Sequence, residues 1–215
     1  MNWLTLPGLT PYLRAQQLME ETVEAIIAGQ ASETILLVEH EDVYTAGTNS
    51  KAYELLINHK TNKANLSYIP IIGVGRGGKY TYHGPGQRVI YPMLDLSLNS
   101  RKRDIRLYIH NLETWIINVL KEIGIKAYSN ENRVGIWVPF GSTEAKIGAI
   151  GIRVKKWITY HGIAINISTD LHKFAGIIPC GLENFQVTSL VELGISISML
   201  DFDYLVKKEF YKIFV

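Results

Sequence analysis

Three β-rich stretches follow one another with almost no chain between them: Val134 to Val138, Lys146 to Val154, and Trp157 to Ile167. Parallel neighbours need a crossover of a dozen or more residues, so connections this short predict antiparallel hairpins. Further strands are expected at Thr34 to Glu39, Ile69 to Val74 and Arg88 to Leu94, with Pro70 placing the second at a sheet edge or strand start. Helical spacing runs through Leu13, Leu18, Met19, Val23, Ile26 and Ile27, with Thr10 placed to cap it, Pro11 in its first turn and Gly29 past its end. A stronger helix carries Ile105, Ile109, Leu112, Trp115, Ile116, Val119, Leu120 and Ile123, with Asp104 near its start and Gly124 at its end. Thr188 to Leu193 and Ser198 to Phe214 also read as helical, the latter with Ser198 as cap, and Ala52 to Asn58 reads as a short helix. Helices before and after a largely antiparallel sheet, without βαβα alternation, predict a mixed α/β (α+β) fold in a single domain over residues 1–215.

Bulk properties remove several functional classes. A chain of 215 residues that is 47% hydrophobic and 20% charged is neither disordered nor collagenous. One cysteine excludes an intramolecular disulfide framework, and the opening residues lack a basic region followed by an apolar run, so the reducing cytoplasm is the expected compartment. No stretch has the ~18 uncharged apolar residues of a membrane span. A net charge of +2 does not predict nucleic-acid binding. Basic residues do gather at Arg101, Lys102, Arg103 and Arg106 and again at Lys155 and Lys156, which fits either solvated element ends or a docking surface for an acidic protein.

Two segments look chemical. The stretch Arg76-Gly77-Gly78-Lys79-Tyr80-Thr81-Tyr82-His83-Gly84-Pro85-Gly86-Gln87 holds four glycines besides polar tips. Neither the Rossmann nor the phosphate-loop glycine order is present, which leaves a hairpin loop or a site that orients a carbonyl or acyl group. Cys180 lies between Pro179 and Gly181, outside any apolar run, where a thiol is either a turn-borne nucleophile or an inert residue. Lys146, taken alone, is a strand-start lysine. His83 and His161 each precede a glycine; six scattered histidines and one cysteine lack zinc-ligand spacing, and no Gly-x-Ser-x-Gly elbow occurs.

Taken in order, Arg76-Gly77-Gly78-x-x-Thr81-Tyr82-His83-Gly84-Pro85-Gly86-Gln87, Lys146-Ile147-Gly148-Ala149-Ile150-Gly151, His161-Gly162-Ile163-Ala164-x-Asn166 and Pro179-Cys180-Gly181-Leu182 closely resemble the lipoyl(octanoyl) transferases of lipoate assembly. Glu39-His40 and Tyr44-Thr45-x-Gly47 extend the likeness upstream, so that it runs from about Leu36 to Leu193. The resemblance implies the biotin/lipoate protein ligase type of fold. It implies that Cys180 takes an octanoyl group from the phosphopantetheine of acyl carrier protein as a thioester, that Lys146 is the catalytic lysine beside it, and that no metal or nucleotide cofactor takes part. Substrate would be held by Arg76, Gly77, Gly78, Lys79, Tyr80, Thr81, Tyr82 and His83, by Ala149, Ile150 and Gly151, and by Gly162, Ile163 and Ala164. The acceptors would be lipoyl domains of 2-oxo acid dehydrogenases and the glycine cleavage H protein, with the enzyme expected as a monomer. Two other readings stay open: an ATP-dependent lipoate or biotin ligase on the same fold, and a binding protein without turnover.

Overall fold

The computed structural model describes residues 1–57, 68–98, 101–131, 133–178 and 186–215. In chain order the elements are β1 (Asn2–Thr10), α1 (Tyr12–Ile27), β2 (Thr34–His40), β3 (Val43–Ala46), β4 (Ile71–Gly73), β5 (Tyr80–His83), β6 (Gln87–Met93), α2 (Ile105–Glu122), β7 (Tyr128–Asn130), β8 (Arg133–Phe140), β9 (Thr143–Lys155), β10 (Ile158–Asn166), β11 (Gln186–Val187) and α3 (Met199–Phe214). The expected mixed α/β fold is found. Among the described residues the large sheet runs β1-β2-β6-β10-β9-β8-β7, with β11 added alongside β9, and a second sheet runs β4-β3-β5. The hairpins inferred from short connections are antiparallel: Ile136 pairs with Gly148 across β8 and β9, and Gly162 with Gly151 across β9 and β10.

Side-chain alternation sends one set of residues to each face of the large sheet. Ile35, Leu37, Ile90, Ile163 and Ile165 pack on one face against Leu112, Trp115, Ile116 and Val119 of α2 and Phe202, Val206 and Phe210 of α3. The indole nitrogen of Trp115 donates to the Val206 carbonyl at 2.8 Å, which joins the two helices where the side chain would otherwise bury an unpaired donor. Leu36, Val38, Val89, Tyr91 and Ala164 face the other way, onto Ala15, Met19 and Val23 of α1. With both faces covered, β2 reads as the unbroken apolar run Ile35-Leu36-Leu37-Val38, all buried. The small sheet closes over a third cluster formed by Tyr44, Ile69, Tyr82, Phe174 and Ile177.

Several expectations change. Residues 2–10 form a strand parallel to β2, and Thr10 pairs with His40 in it, so α1 starts from Pro11 without a side-chain cap. Asp104 and Ser198 do cap their helices, accepting from Leu107 N and Asp201 N. Thr188 to Leu193 is a turn and not a helix: one i to i−4 bond, Leu193 N to Ser189 O at 3.1 Å, is not continued, because Gly194 N bonds to Val191 O and Ile195 N to Leu190 O, while Leu190 N and Val191 N donate across to Asn166 O and Ile167 O. The short helix at Ala52 is one 3₁₀ turn to Glu54. The basic residues do not form one free patch: the Arg103 guanidinium lies 5.8 Å from the Trp157 ring centroid, Arg101 is buried and paired with Glu33, and Lys155 is paired with Glu24.

The centre of the sheet contains an interruption. Pro92 has no N–H, and continuing the β6–β10 register from Ile163↔Ile90 sets it opposite His161. His161 there adopts a left-handed φ of 57° and gives its N–H to the Met19 sulfur at 3.0 Å. Consecutive rings Tyr160 and His161 therefore stack, 5.2 Å apart at 21°, instead of alternating. Next to it, a Cβ on Gly162 would stand 2.2 Å from the Ile90 carbonyl oxygen. Gly162→Ala should therefore lose about 1–3 kcal/mol by forcing the strands apart, read as a lower urea midpoint at unchanged m. Gly73→Ala, with nothing within 4 Å of the added carbon, should stay within about 0.5 kcal/mol of wild type.

Candidate active site

The α1 side of the large sheet is covered incompletely, and the gap between α1 and the small sheet is a cavity of about 340 Å³. Its sheet wall is built by Val89 and Tyr91 of β6, Gly162 to Ala164 of β10, Lys146 and Ala149 to Gly151 of β9, and Arg133, Val134 and Trp137 of β8. Its cover is Tyr12, Asn49, Arg76, Gly78, Lys79, Tyr80, Thr81 and His83. Three segments far apart in sequence thus line one space. Two residues singled out in the sequence do not line it. Gly77 donates its N–H to Ile152 O at 3.0 Å and pins the loop to β9. Tyr82 lies between Thr81 and His83 on a strand, so it points into the cluster beneath and donates its hydroxyl to Asp42 at 2.6 Å.

Lys146 is nearly buried, at 8% exposure, with its ammonium 5.1 Å from the centroid of Trp137. The same ring has the Arg133 guanidinium 4.4 Å away, so two cations share one aromatic side chain. Gly135, at φ 137°, leaves the space that the lysine stem fills: a Cβ there would lie 2.3 Å from Lys146 Cε and 2.9 Å from Nζ. The Gly135 N–H donates to Glu113 at 3.1 Å, and burial raises the pKa of that carboxyl against the pull of Gly135, His110 and Lys146. Glu113 was readable in the sequence as a carboxylate beside Leu112 on the apolar side of α2, a position that needs a partner.

Arg76 braces its own loop. Nη1 donates to Gly77 O and Lys79 O, both at 3.0 Å, and Nη2 to Thr45 O at 2.9 Å and Thr45 Oγ1 at 2.6 Å. Lys79 is paired with Glu54. The floor is polar but uncharged. His40 is brought down to about 4 by burial, and His161 to about 3 by burial and then the charges of Arg76 and Arg153. His83 falls well below the usual histidine value through burial, then His40 and Arg76, while burial holds Tyr12 up at about 12. Tyr12, Tyr91 and Trp137 carried no motif signal, because their role depends on neighbours from other elements.

Cys180, with Pro179 and Gly181, lies outside the described residues. On one side of that segment Ile178 donates to Glu54 O at 2.7 Å; on the other, Val187 pairs with Lys146. Chemically, the arrangement offers cations where negative charge can develop, a neutral hydrogen-bonding floor, and an apolar strip of Val89, Ala149 and Ala164 for an alkyl chain.

The chain is similar to known proteins in sequence and in fold. The lipoyl protein ligase A/B catalytic domain family matches residues 11–211, and the chain belongs to that family. Among its relatives are proteins named octanoyltransferase from Rickettsia canadensis, 56% identical, and Rickettsia felis, 55% identical, each aligned over 100% of this chain and 99% of its own length. In fold the chain is similar to a lipoate protein ligase from Thermoplasma acidophilum, with a TM-score of 0.70 at 18% identity over 99% of this chain and 82% of that one. It is more distantly similar to a biotin protein ligase from Aquifex aeolicus, with a TM-score of 0.52 at 14% identity over 99% and 68%.

The neutral histidines make stability depend on pH. Each protonates near 6.5 when unfolded but only at a lower pH when folded, so the unfolded chain binds more protons in between. Stability should be complete above 6.5 and fall as pH drops through 4, with His40 alone contributing on the order of 3 kcal/mol of the loss. Urea midpoints at pH 7.5 and 4.5 check this; equal midpoints would contradict the neutral floor. Gly135→Ala should displace Lys146 and lower acyl transfer by about tenfold to a hundredfold while the chain still melts cooperatively.

Proposed function

We propose that this acyltransferase carries an octanoyl, or lipoyl, group from the phosphopantetheine thiol of acyl carrier protein through a thioester on Cys180 to the target lysine of lipoyl domains, without nucleotide or metal. The observation that carries the reading is the near-buried Lys146 cation, set in the wall of an alkyl-sized cavity and paired through its backbone with the strand that follows the Cys180 segment. Relatives matched over their whole length are named for octanoyl transfer.

The Lys146 ammonium stabilises the Cys180 thiolate. The thiolate attacks the donor carbonyl, the carbon–sulfur bond to pantetheine breaks, and the departing sulfur takes a proton from Lys146. Lys146 is then neutral. In the second half the acceptor amine attacks the enzyme thioester, the carbon–sulfur electron pair returns to Cys180, and Lys146 recovers a proton from the amine. Both half-reactions draw on the activation already present in the donor thioester. The apolar strip contributes ~0.8 kcal/mol per buried methylene, which sets a preference for chain length and not an absolute gate. Acceptors are the lipoyl domains of 2-oxo acid dehydrogenases and the glycine cleavage H protein, met in the cytoplasm by a monomeric enzyme.

Incubation with octanoyl carrier protein and no nucleotide should add one octanoyl mass, removable by hydroxylamine and absent in Cys180→Ser. Lys146→Met should slow acyl-enzyme formation by about 10²- to 10⁴-fold. Labelling that requires ATP would favour the ligase reading instead.

A further inference from the structure

The buried amides beneath the cavity have a hydrogen-bond direction that can be read from one end. The Thr188 carbonyl can only accept, so the Asn166 group 2.9 Å from it is the Nδ2 amine and Oδ1 faces Gln87. Gln87 Nε2 donates its two hydrogens to Asn166 Oδ1 at 2.9 Å and to Tyr82 O at 3.2 Å. Gln87 Oε1 is left facing His83 Nδ1 at 2.7 Å. An acceptor at that position requires the hydrogen on Nδ1, so the lone pair of the neutral ring is at Nε2.

A second chain ends beside the first. The Thr10 carbonyl, 3.0 Å from His40 Nδ1, fixes that ring's hydrogen, so Nε2 accepts from the Tyr91 hydroxyl at 2.8 Å. Having given its hydrogen to His40, Tyr91 has none left for the cavity. The Tyr12 ring stacks on His83, 6.0 Å away at 15°. Both residues line the cavity. A neutral ring whose outer nitrogen accepts suits a ligand that brings an N–H hydrogen, and of the two substrates' reacting groups only the attacking amine brings one.

We propose that His83 Nε2 accepts an N–H hydrogen of the acceptor lysine's uncharged ε-amine and so orients the amine within the cavity for its attack on the acyl group. This rests on the acyl-transfer reading above and makes His83 a positioning residue for the second half-reaction. The nitrogen lone pair forms the C–N bond, the C–S pair returns to Cys180, and the surplus proton passes to Lys146; His83 holds a hydrogen bond throughout and keeps no proton.

The test separates the halves by rapid quench of the full-length enzyme, first with octanoyl carrier protein alone, then by mixing preformed acyl-enzyme with a lipoyl domain. His83→Asn keeps an N–H for Gln87 but removes the outer acceptor; Tyr12→Phe keeps the ring and removes the oxygen. The ratio of second-step to first-step rate constants should fall about tenfold to thirtyfold in His83→Asn and less in Tyr12→Phe, which leaves Nε2 in place, with the His83→Asn second-step pH profile moved to lower pH because a lost acceptor favours the uncharged amine. Nitrogen-15 spectra of histidine-labelled wild type should show His83 protonated at Nδ1 only. Equal losses in both steps, a loss confined to the first step, or an Nε2–H tautomer would overturn the proposal. If His83→Asn does not fold, the tautomer in wild type decides. Failure of wild type to form any acyl-enzyme would instead defeat the underlying reading.

Discussion

Pro92 has no N–H to give to β10, and the floor of the cavity is arranged around that missing bond. A proline in a central strand normally leaves a carbonyl unsatisfied and weakens the sheet. Here the opposing residue, His161, takes a left-handed conformation, which for a residue with a side chain costs roughly 1–2 kcal/mol. The cost is offset by local contacts: the Thr159 hydroxyl donates to Pro92 O at 2.8 Å, Leu94 N donates to Thr159 Oγ1 at 3.0 Å, and the Met19 sulfur receives the His161 N–H. As a result a histidine ring lies on the α1 face and a bare glycine follows it, so the wall of the cavity is flat where its neighbours in a regular strand would be filled.

The polar groups around this wall are mutually dependent. A buried donor or acceptor without a partner costs about 1–3 kcal/mol, so each amide and ring in the floor must be oriented by the next. The Gln87–Asn166 chain ends on a backbone carbonyl, which cannot reverse, and the His40–Tyr91 chain ends on another. That fixes hydrogen positions on side chains several residues removed from the anchors. The charge pattern follows from the same packing. Arg76 gives its guanidinium hydrogens to carbonyls and Lys146 lies against an aromatic face, whereas His40, His83 and His161 are kept neutral first by burial, with Arg76 adding to it at His83 and His161.

Much of the scaffold was legible in the sequence. The spacing in α2, its Asp104 cap and the tight β8–β9–β10 connections are local signals, and local signals survive into the fold. Strand β5 was hidden because Tyr80-Thr81-Tyr82-His83 lies among glycines that read as loop, and β1 because Pro7 and Gly8 interrupt it where its register to β2 shifts. Thr188 to Leu193 has a helical composition, but after one helical bond it closes as a turn, and its start is tied to Lys146, Asn166 and Ile167, partners that no local pattern can reveal.

Residue types, order and spacing by themselves determined the class of fold, the family and the segments from which a site could be built, because hydrophobic period, turn chemistry and motif order are properties of neighbouring residues. Only the tertiary structure decided that Thr81 and His83 face the cavity while Tyr82 does not, that Gly135 makes room for Lys146, and which nitrogen of His83 carries hydrogen. Those outcomes depend on strand pairing and on hydrogen bonds between residues such as His83, Gln87, Asn166 and Thr188, whose polarity is set at a carbonyl more than a hundred positions along the chain.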